Sequence, residues 1–201
     1  MDEHPTADLA LVSVQTEMDG ETMSFPANKF AARMPGEEEK LRGFGYPRSG
    51  MSGSAPIATA AIIDYERRLV QSSGPVIERH PVRRDSSAIN FPAVMTNAHD
   101  EHGMSGGPVI DADGVIIGVI SRGMPPDDDG GDWVSYVSLI GPALQLTGLL
   151  GSSAGSEEEV RLGQLAMEDK IGFELYDSFE VIGGPDGIEV RYTLGDDSAA
   201  C

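Results

Sequence analysis

The chain contains a single cysteine, Cys201, and it is the last residue. One thiol cannot form an internal disulfide, so the fold has to rest on an apolar core. Histidine is scarce too: His4, His80, His99 and His102 are the four. Lysine occurs only three times, and 14 basic residues face 33 acidic ones for a formal net charge of −19. Such a surface repels phosphate backbones and anionic headgroups, so neither nucleic acid nor a membrane is an expected partner. No apolar run reaches the roughly 18 residues of a membrane-spanning helix. The opening MDEHPTADLALV is acidic where a leader is basic and has no signal-peptide layout. With Met1 as the true start, that describes a cytoplasmic chain; otherwise the compartment is open.

Metal and cofactor signals are missing as well. No His, Cys, Asp and Glu residues stand at metal-ligand spacing. Asp127 to Asp132 (DDDGGD) lacks the alternating acidic order and closing Glu of a calcium loop, and reads as a solvated loop. Gly43 and Gly45 fail as a dinucleotide fingerprint, because Arg48 stands where the third glycine belongs and no helix follows. No cofactor is expected.

What the chain does have is turns: 25 glycines and 13 prolines. The stretch with most chemical content runs from Gly103 to Gly123, GMSGGPVIDADGVIIGVISRG. Ser105 sits among Gly103, Gly106 and Gly107. Two apolar, β-branched runs follow, separated by an Asp-Gly, which is a strong hairpin signal because glycine tolerates the positive φ of a tight turn. Ser105 is therefore expected at the start of a β-hairpin. Glycines beside a serine also let backbone N–H groups converge on one point, where a developing oxyanion can be held.

The run resembles the nucleophile segment of chymotrypsin-like (trypsin-like) serine peptidases of the prokaryotic type. Gly118-Val119-Ile120-Ser121-Arg122-Gly123 matches that family's second conserved strand at the right distance. The resemblance implies Ser105 as nucleophile, with the N–H groups of Gly103 and Ser105 as oxyanion hole. It implies that Ser121, Arg122 and Gly123 pair with the substrate backbone. His99, six residues before the nucleophile, would lie at the base of the primary specificity pocket with Arg122 near its mouth, a pair suited to an acidic side chain. Asp8-Leu9-Ala10-Leu11 is similar to the strand that carries the family's orienting aspartate. Asp8 precedes Ser105 by 97 residues, close to the family's interval of about 90.

The family's histidine precedes that aspartate by about 45 residues, and only seven residues precede Asp8. His4 has no matching context. Thr96-Asn97-Ala98-His99 looks like the family's histidine motif but lies in the wrong barrel, so His99 and His102 are not expected to act as the base. The resemblance then implies an N-terminally truncated, nearly inactive copy. Two other serine arrangements fail. An α/β-hydrolase needs a helix and a histidine after Ser105, and subtilisin order would have to enlist His80 in a different sequence context.

The expected architecture is mainly β: a chymotrypsin-like double barrel with the first barrel incomplete, plus a C-terminal helix and hairpin extension. Residues 1–36 read as the first-barrel remnant and connection, 37–150 as the second barrel with a terminal helix, and 151–201 as linker and extension. Strands are expected at Asp8–Val14, Leu41–Pro47, Ala58–Val70, Pro75–Val82, Ile89–Thr96 and Trp133–Val137. Helices are expected at Leu139–Leu150 and, after a Ser156-Glu159 capping box, at Val160–Lys170. GSSAG (Gly151–Gly155) reads as a linker. Period-two patterns at Phe179–Ile182 and Ile188–Leu194 read as a hairpin. The strands before the linker are expected to leave apolar edges exposed unless a partner or the extension covers them. Two functions fit: a serine endopeptidase acting on polypeptide through an acyl-enzyme, or a non-catalytic module that binds peptide on the same scaffold. The oligomeric state is left open.

Overall fold

In a strand, successive side chains point to opposite faces, and β4 (Lys40–Gly45) shows the rule: Leu41, Gly43 and Gly45 are buried while Lys40 is exposed. The computed structural model describes residues 8–10, 17–18, 21–22, 28–47, 68–126, 130–151, 157–184 and 187–194. Before β4 come a two-stranded ribbon, β1 (Glu17–Met18) and β2 (Glu21–Thr22), and then β3 (Phe30–Ala32). After it come β5 (Val70–His80), β6 (Ala93–Thr96), β7 (Pro108–Ile110), β8 (Ile116–Met124) and β9 (Val134–Leu139).

These strands pair in the order β8-β7-β4-β5-β6-β9, and β9 pairs back onto β8, so six strands close a barrel. Closure removes free edges. It overturns the expectation that the strands before the linker leave apolar edges exposed. Two features of β8 allow it. Nine residues are long enough to serve both neighbours, and a register shift between Ile120 and Arg122 re-aims the strand along β9. The core inside includes Leu41, Val76, Val94, Val109, Ile117, Ile120, Val137 and Leu139. The architecture is mainly β, built on a closed six-strand barrel.

The hairpin expected after Ser105 is present. Asp111 Oδ1 accepts the N–H groups of Asp113 and Val115, and Gly114 takes φ +80°. The strand expected at Pro75–Val82 begins earlier, at Val70. Pro75 is accommodated because it pairs with Lys40 at the end of the β4 ladder, beside a register shift at Val76/Glu78. The strand expected from Ile89 is confined to Ala93–Thr96. Asp8 to Ala10 is not in a strand, and residues 11–14, 58–67, 127–129 and 152–156, on which other expectations fell, lie outside the described residues.

Both expected helices are corrected. Leu139–Leu150 is the end of β9, one 3-10 turn at Gly141–Gln145 with Pro142 in its first turn, and β10 (Thr147–Gly151). Glycine at 141 and 148 and β-branched Thr147 disfavour a helix, while the sheet keeps residues to Leu139. The glutamate run, read as a capping box, is instead β11 (Glu157–Arg161), antiparallel to β10 from Thr147↔Arg161 to Gly151↔Glu157. Only α1 (Leu162–Met167) remains helical.

The extension returns to the barrel as β12 (Phe173–Leu175), which pairs in parallel with β3. The expected hairpin is β13 (Phe179–Gly184) with β14 (Gly187–Tyr192). Phe179, Val190 and Tyr192 join the main core, and the Gly141 N–H donates to the Tyr192 hydroxyl at 2.7 Å.

Candidate active site

The loop from β6 to β7 carries Ser105, and its shape follows from its glycines. Gly103 and Gly106 take φ of +99° and +85°, a region that residues with a Cβ rarely adopt. Gly107 lies so close to β4 that a Cβ there would sit 1.9 Å from the Phe44 carbonyl oxygen. Backbone bonds pin the loop to β8: Gly106 N–H donates to Ile120 O at 2.7 Å, and Ile120 N–H donates to Gly107 O at 2.8 Å.

Within this loop, Met104 N–H donates to Glu101 O and Gly107 N–H to Met104 O. The N–H groups of Gly103 and Ser105 donate to no other described residue. The pair that the resemblance assigns to the oxyanion hole is thus free of internal partners among the described residues, as are the N–H groups of Glu101 and His102. Ser105 itself is exposed and lines two cavities, of about 710 and 700 Å³.

Asp8 and Ser121, 113 positions apart, meet here: the Ser121 hydroxyl donates to Asp8 Oδ2 at 2.5 Å. Both line the larger cavity together with Ser105. Ser121, Arg122 and Gly123 lie in β8, where Arg122 is opposite Tyr136 and Gly123 opposite Ser135 of β9. The other edge of β8 pairs with β7 only as far as Val119.

His99 is exposed and stacks on Trp133, with ring centroids 3.9 Å apart at 11°. A Cβ on Gly123 would come 1.9 Å from the Asp100 carbonyl oxygen and 3.3 Å from Trp133 Nε1, so the His99 segment rests directly on β8. None of His80, His99 and His102 is hydrogen-bonded to Ser105, and His4 lies outside the described residues.

Sequence reasoning missed what holds the His99 segment. Asp100 is 2% exposed, and its carboxylate accepts the hydroxyl of Ser72 on β5. From the other side, Ser135 on β9 accepts the Asp100 N–H at 3.3 Å and donates to Ala98 O at 2.8 Å. The Asp100 carboxylate, adjacent to two histidines, was the available signal, but nothing local pointed to Ser72 or Ser135. Trp133 was read only as the start of a strand. Also missed were Leu162, Ile171 and Phe173 of the extension, which line the larger cavity.

The fold and this site can be set beside known proteins. No curated protein matches the chain. Among solved structures, an inactive serine-to-alanine mutant of Rv3671c from Mycobacterium tuberculosis H37Rv is 22% identical, with a TM-score of 0.40 over 58% of this chain and 49% of that one. Protease A of Thermobifida fusca is 17% identical, with a TM-score of 0.36 over 63% of this chain and 53% of its own. The chain thus spans about half the length of each. The family model of the trypsin-like peptidase domain matches residues 1–119, which include Asp8, Gly103 and Ser105. This chain belongs to the trypsin-like peptidase family.

Proposed function

We propose that the chain is the nucleophile-bearing part of a serine endopeptidase acting on polypeptide. The observation that carries this reading is the exposed Ser105, whose own N–H and that of Gly103 donate to no described residue while Met104, Gly106 and Gly107 N–H are engaged. Ser105 Oγ attacks the peptide carbonyl carbon, and its proton passes to an imidazole. The Gly103 and Ser105 N–H groups hold the oxyanion, and the amine leaves with the proton that the imidazole returns. Water then hydrolyses the acyl-enzyme by the same route. Asp8, anchored by Ser121, orients the imidazole, and Ser121 to Gly123 pair with the substrate backbone as an added strand. His99 and Arg122 favour an acidic residue before the scissile bond, so cleavage after Glu is expected to exceed cleavage after Arg.

Among the described residues no histidine is hydrogen-bonded to Ser105 or lines the cavity it shares with Asp8, so turnover requires an imidazole in that cavity. Without one, only the small residual rate that an oxyanion hole supports is expected. The same observation favours a second reading, a non-catalytic peptide-binding module. A fluorophosphonate probe separates the two, read by mass spectrometry with Ser105→Ala as control. Labelling at Ser105 that rises with added free imidazole supports the peptidase. No labelling at any imidazole concentration would leave the binding module.

A further inference from the structure

The larger cavity beside Ser105 has a mixed lining. Ser105, Ser121 and Asp8 are its polar side chains. Most of the remainder is apolar, and the bulkier part of that wall has two sources. Phe30, Ile140 and Leu146 come from the barrel side, and Leu162, Ile171 and Phe173 come from the extension. Asp8 is the one charged side chain among the described lining residues, and it is already engaged by the Ser121 hydroxyl.

This wall is built into the backbone. Leu162 N–H donates to Leu146 O at 3.0 Å, and Phe30 N–H donates to Gly172 O at 2.8 Å. The rings of Phe30 and Phe173 stack 5.9 Å apart at 17°. Phe30, Leu146, Leu162, Ile171 and Phe173 are nevertheless only half-buried. Five apolar side chains are held in place around one space and left partly uncovered there. Covering them releases water from apolar surface, and an aliphatic or aromatic group does this without stranding a polar atom.

We propose that this space is a subsite for a bulky apolar side chain of the bound polypeptide, and that the C-terminal extension builds it. The inference rests on the reading of Ser105 as facing a polypeptide. It gives the extension, which lies wholly beyond the residues matched by the family model, a part in choosing the substrate. The position recognised here is distinct from the one near His99 and Arg122, because neither residue lines this cavity.

The test uses the full chain as its uncleavable Ser105→Ala variant. Fluorescence anisotropy measures binding of labelled peptides carrying Leu, Phe, Ala, Asp or Lys at one position at a time around a fixed Glu. At one position Leu or Phe should bind about tenfold more tightly than Ala or Asp, as expected for burying one such side chain. Ile171→Asn and Phe173→Ala should each cut that preference to below about threefold, with the melting temperature recorded to show that the fold persists. Ile171 lies before β12 and makes the cleaner variant. The proposal is overturned if no peptide binds, if no position prefers an apolar residue, if Lys binds best, or if both variants keep the preference. Labelling of the native chain separates this from the broader reading. Ser105 labelled without an apolar preference removes the subsite alone, and an apolar preference without labelling removes the peptidase alone.

Discussion

The Ser105 loop and the β13–β14 hairpin of the C-terminal extension are attached to the same barrel by opposite means. Around Ser105 the contacts are backbone to backbone: Gly106 and Gly107 exchange bonds with Ile120, and Gly107 lies against the Phe44 carbonyl. The β13–β14 hairpin is held chiefly by side chains. Phe179 and Tyr192, ring centroids 4.8 Å apart, pack with Val190 into the core, and the Tyr192 hydroxyl accepts the Gly141 N–H. Backbone contacts leave no room for an added carbon. Side-chain contacts tolerate small changes of shape and suffer from lost volume.

This contrast can be broken experimentally. Tyr192→Ala should have the largest effect, destabilising by about 3–5 kcal/mol through the cavity it leaves. Tyr192→Phe keeps the ring and removes the acceptor for Gly141, and should cost about 1 kcal/mol. Urea midpoints would measure both. Equal losses would show that the hydrogen bond, and not the packed volume, holds the hairpin.

Gly107→Ala is the counterpart in the loop. One methyl, placed 1.9 Å from the Phe44 carbonyl oxygen, should destabilise by about 2–3 kcal/mol and abolish any labelling of Ser105. Retained labelling would mean that β4 can move aside, against the account of a backbone-fixed loop.

A smaller effect is expected where β3, the turn before β4 and the 111–114 turn meet. Arg33 donates to both carboxylate oxygens of Glu39, at 2.5 and 2.8 Å, and to Asp111 Oδ2 at 3.0 Å. Burial works to raise the Asp111 carboxyl, but the Val115 N–H and the Arg33 guanidinium outweigh it and hold the group below its ordinary value. A depressed carboxyl contributes stability in full above the unfolded value of about 4. That contribution is lost as pH falls through the depressed folded value. Arg33→Met should cost about 1–2 kcal/mol at neutral pH, since Asp111 keeps its backbone donors. It should also flatten the acid limb of a stability–pH curve.

The smallest effect concerns His80, buried away from this site. Its Nε2 has no hydrogen-bond partner and lies 3.6 Å from a Glu78 oxygen, and its ring faces Tyr136 at 6.3 Å. Burial lowers its pKa, Arg84 adds to that, and Glu78 and Asp85 oppose it. The unfolded chain therefore takes up a proton first as pH falls below about 6.5. Stability is complete above that value and declines until the lowered folded pKa is passed. His80→Gln should flatten this decline in urea midpoints taken between pH 8 and pH 5. An unchanged slope would assign the decline to other groups.

Much of the site was legible because its cause is local. Gly103 and Gly106 declare positive φ, Asp111 to Gly114 declares a tight turn, and the alternation from Phe179 to Leu194 declares a hairpin. The helix expected at Leu139–Leu150 is absent and the one expected at Val160–Lys170 is shortened to Leu162–Met167, because strand pairing claims residues at both. β10 and β11 satisfy each other's backbone groups across residues 147 to 161, which outweighs a helix-like glutamate run. The stack of His99 on Trp133 and the Ser72–Asp100 contact left no trace in spacing, because each joins residues that only the barrel brings together.

By itself, the sequence determined the glycine-rich turn around Ser105 and the hairpin after it, which depend on φ preferences within a few residues. The nucleophile candidate and its N–H donors were legible only through the resemblance carried by Gly103 to Gly123. Tertiary structure alone decided that β9 closes the barrel on β8, that Asp8 reaches Ser121, and that Leu162, Ile171 and Phe173 wall the cavity beside Ser105. Each of these needs backbone pairing or apolar burial between distant segments. Such terms are cooperative over the whole fold and are carried by no single stretch of it.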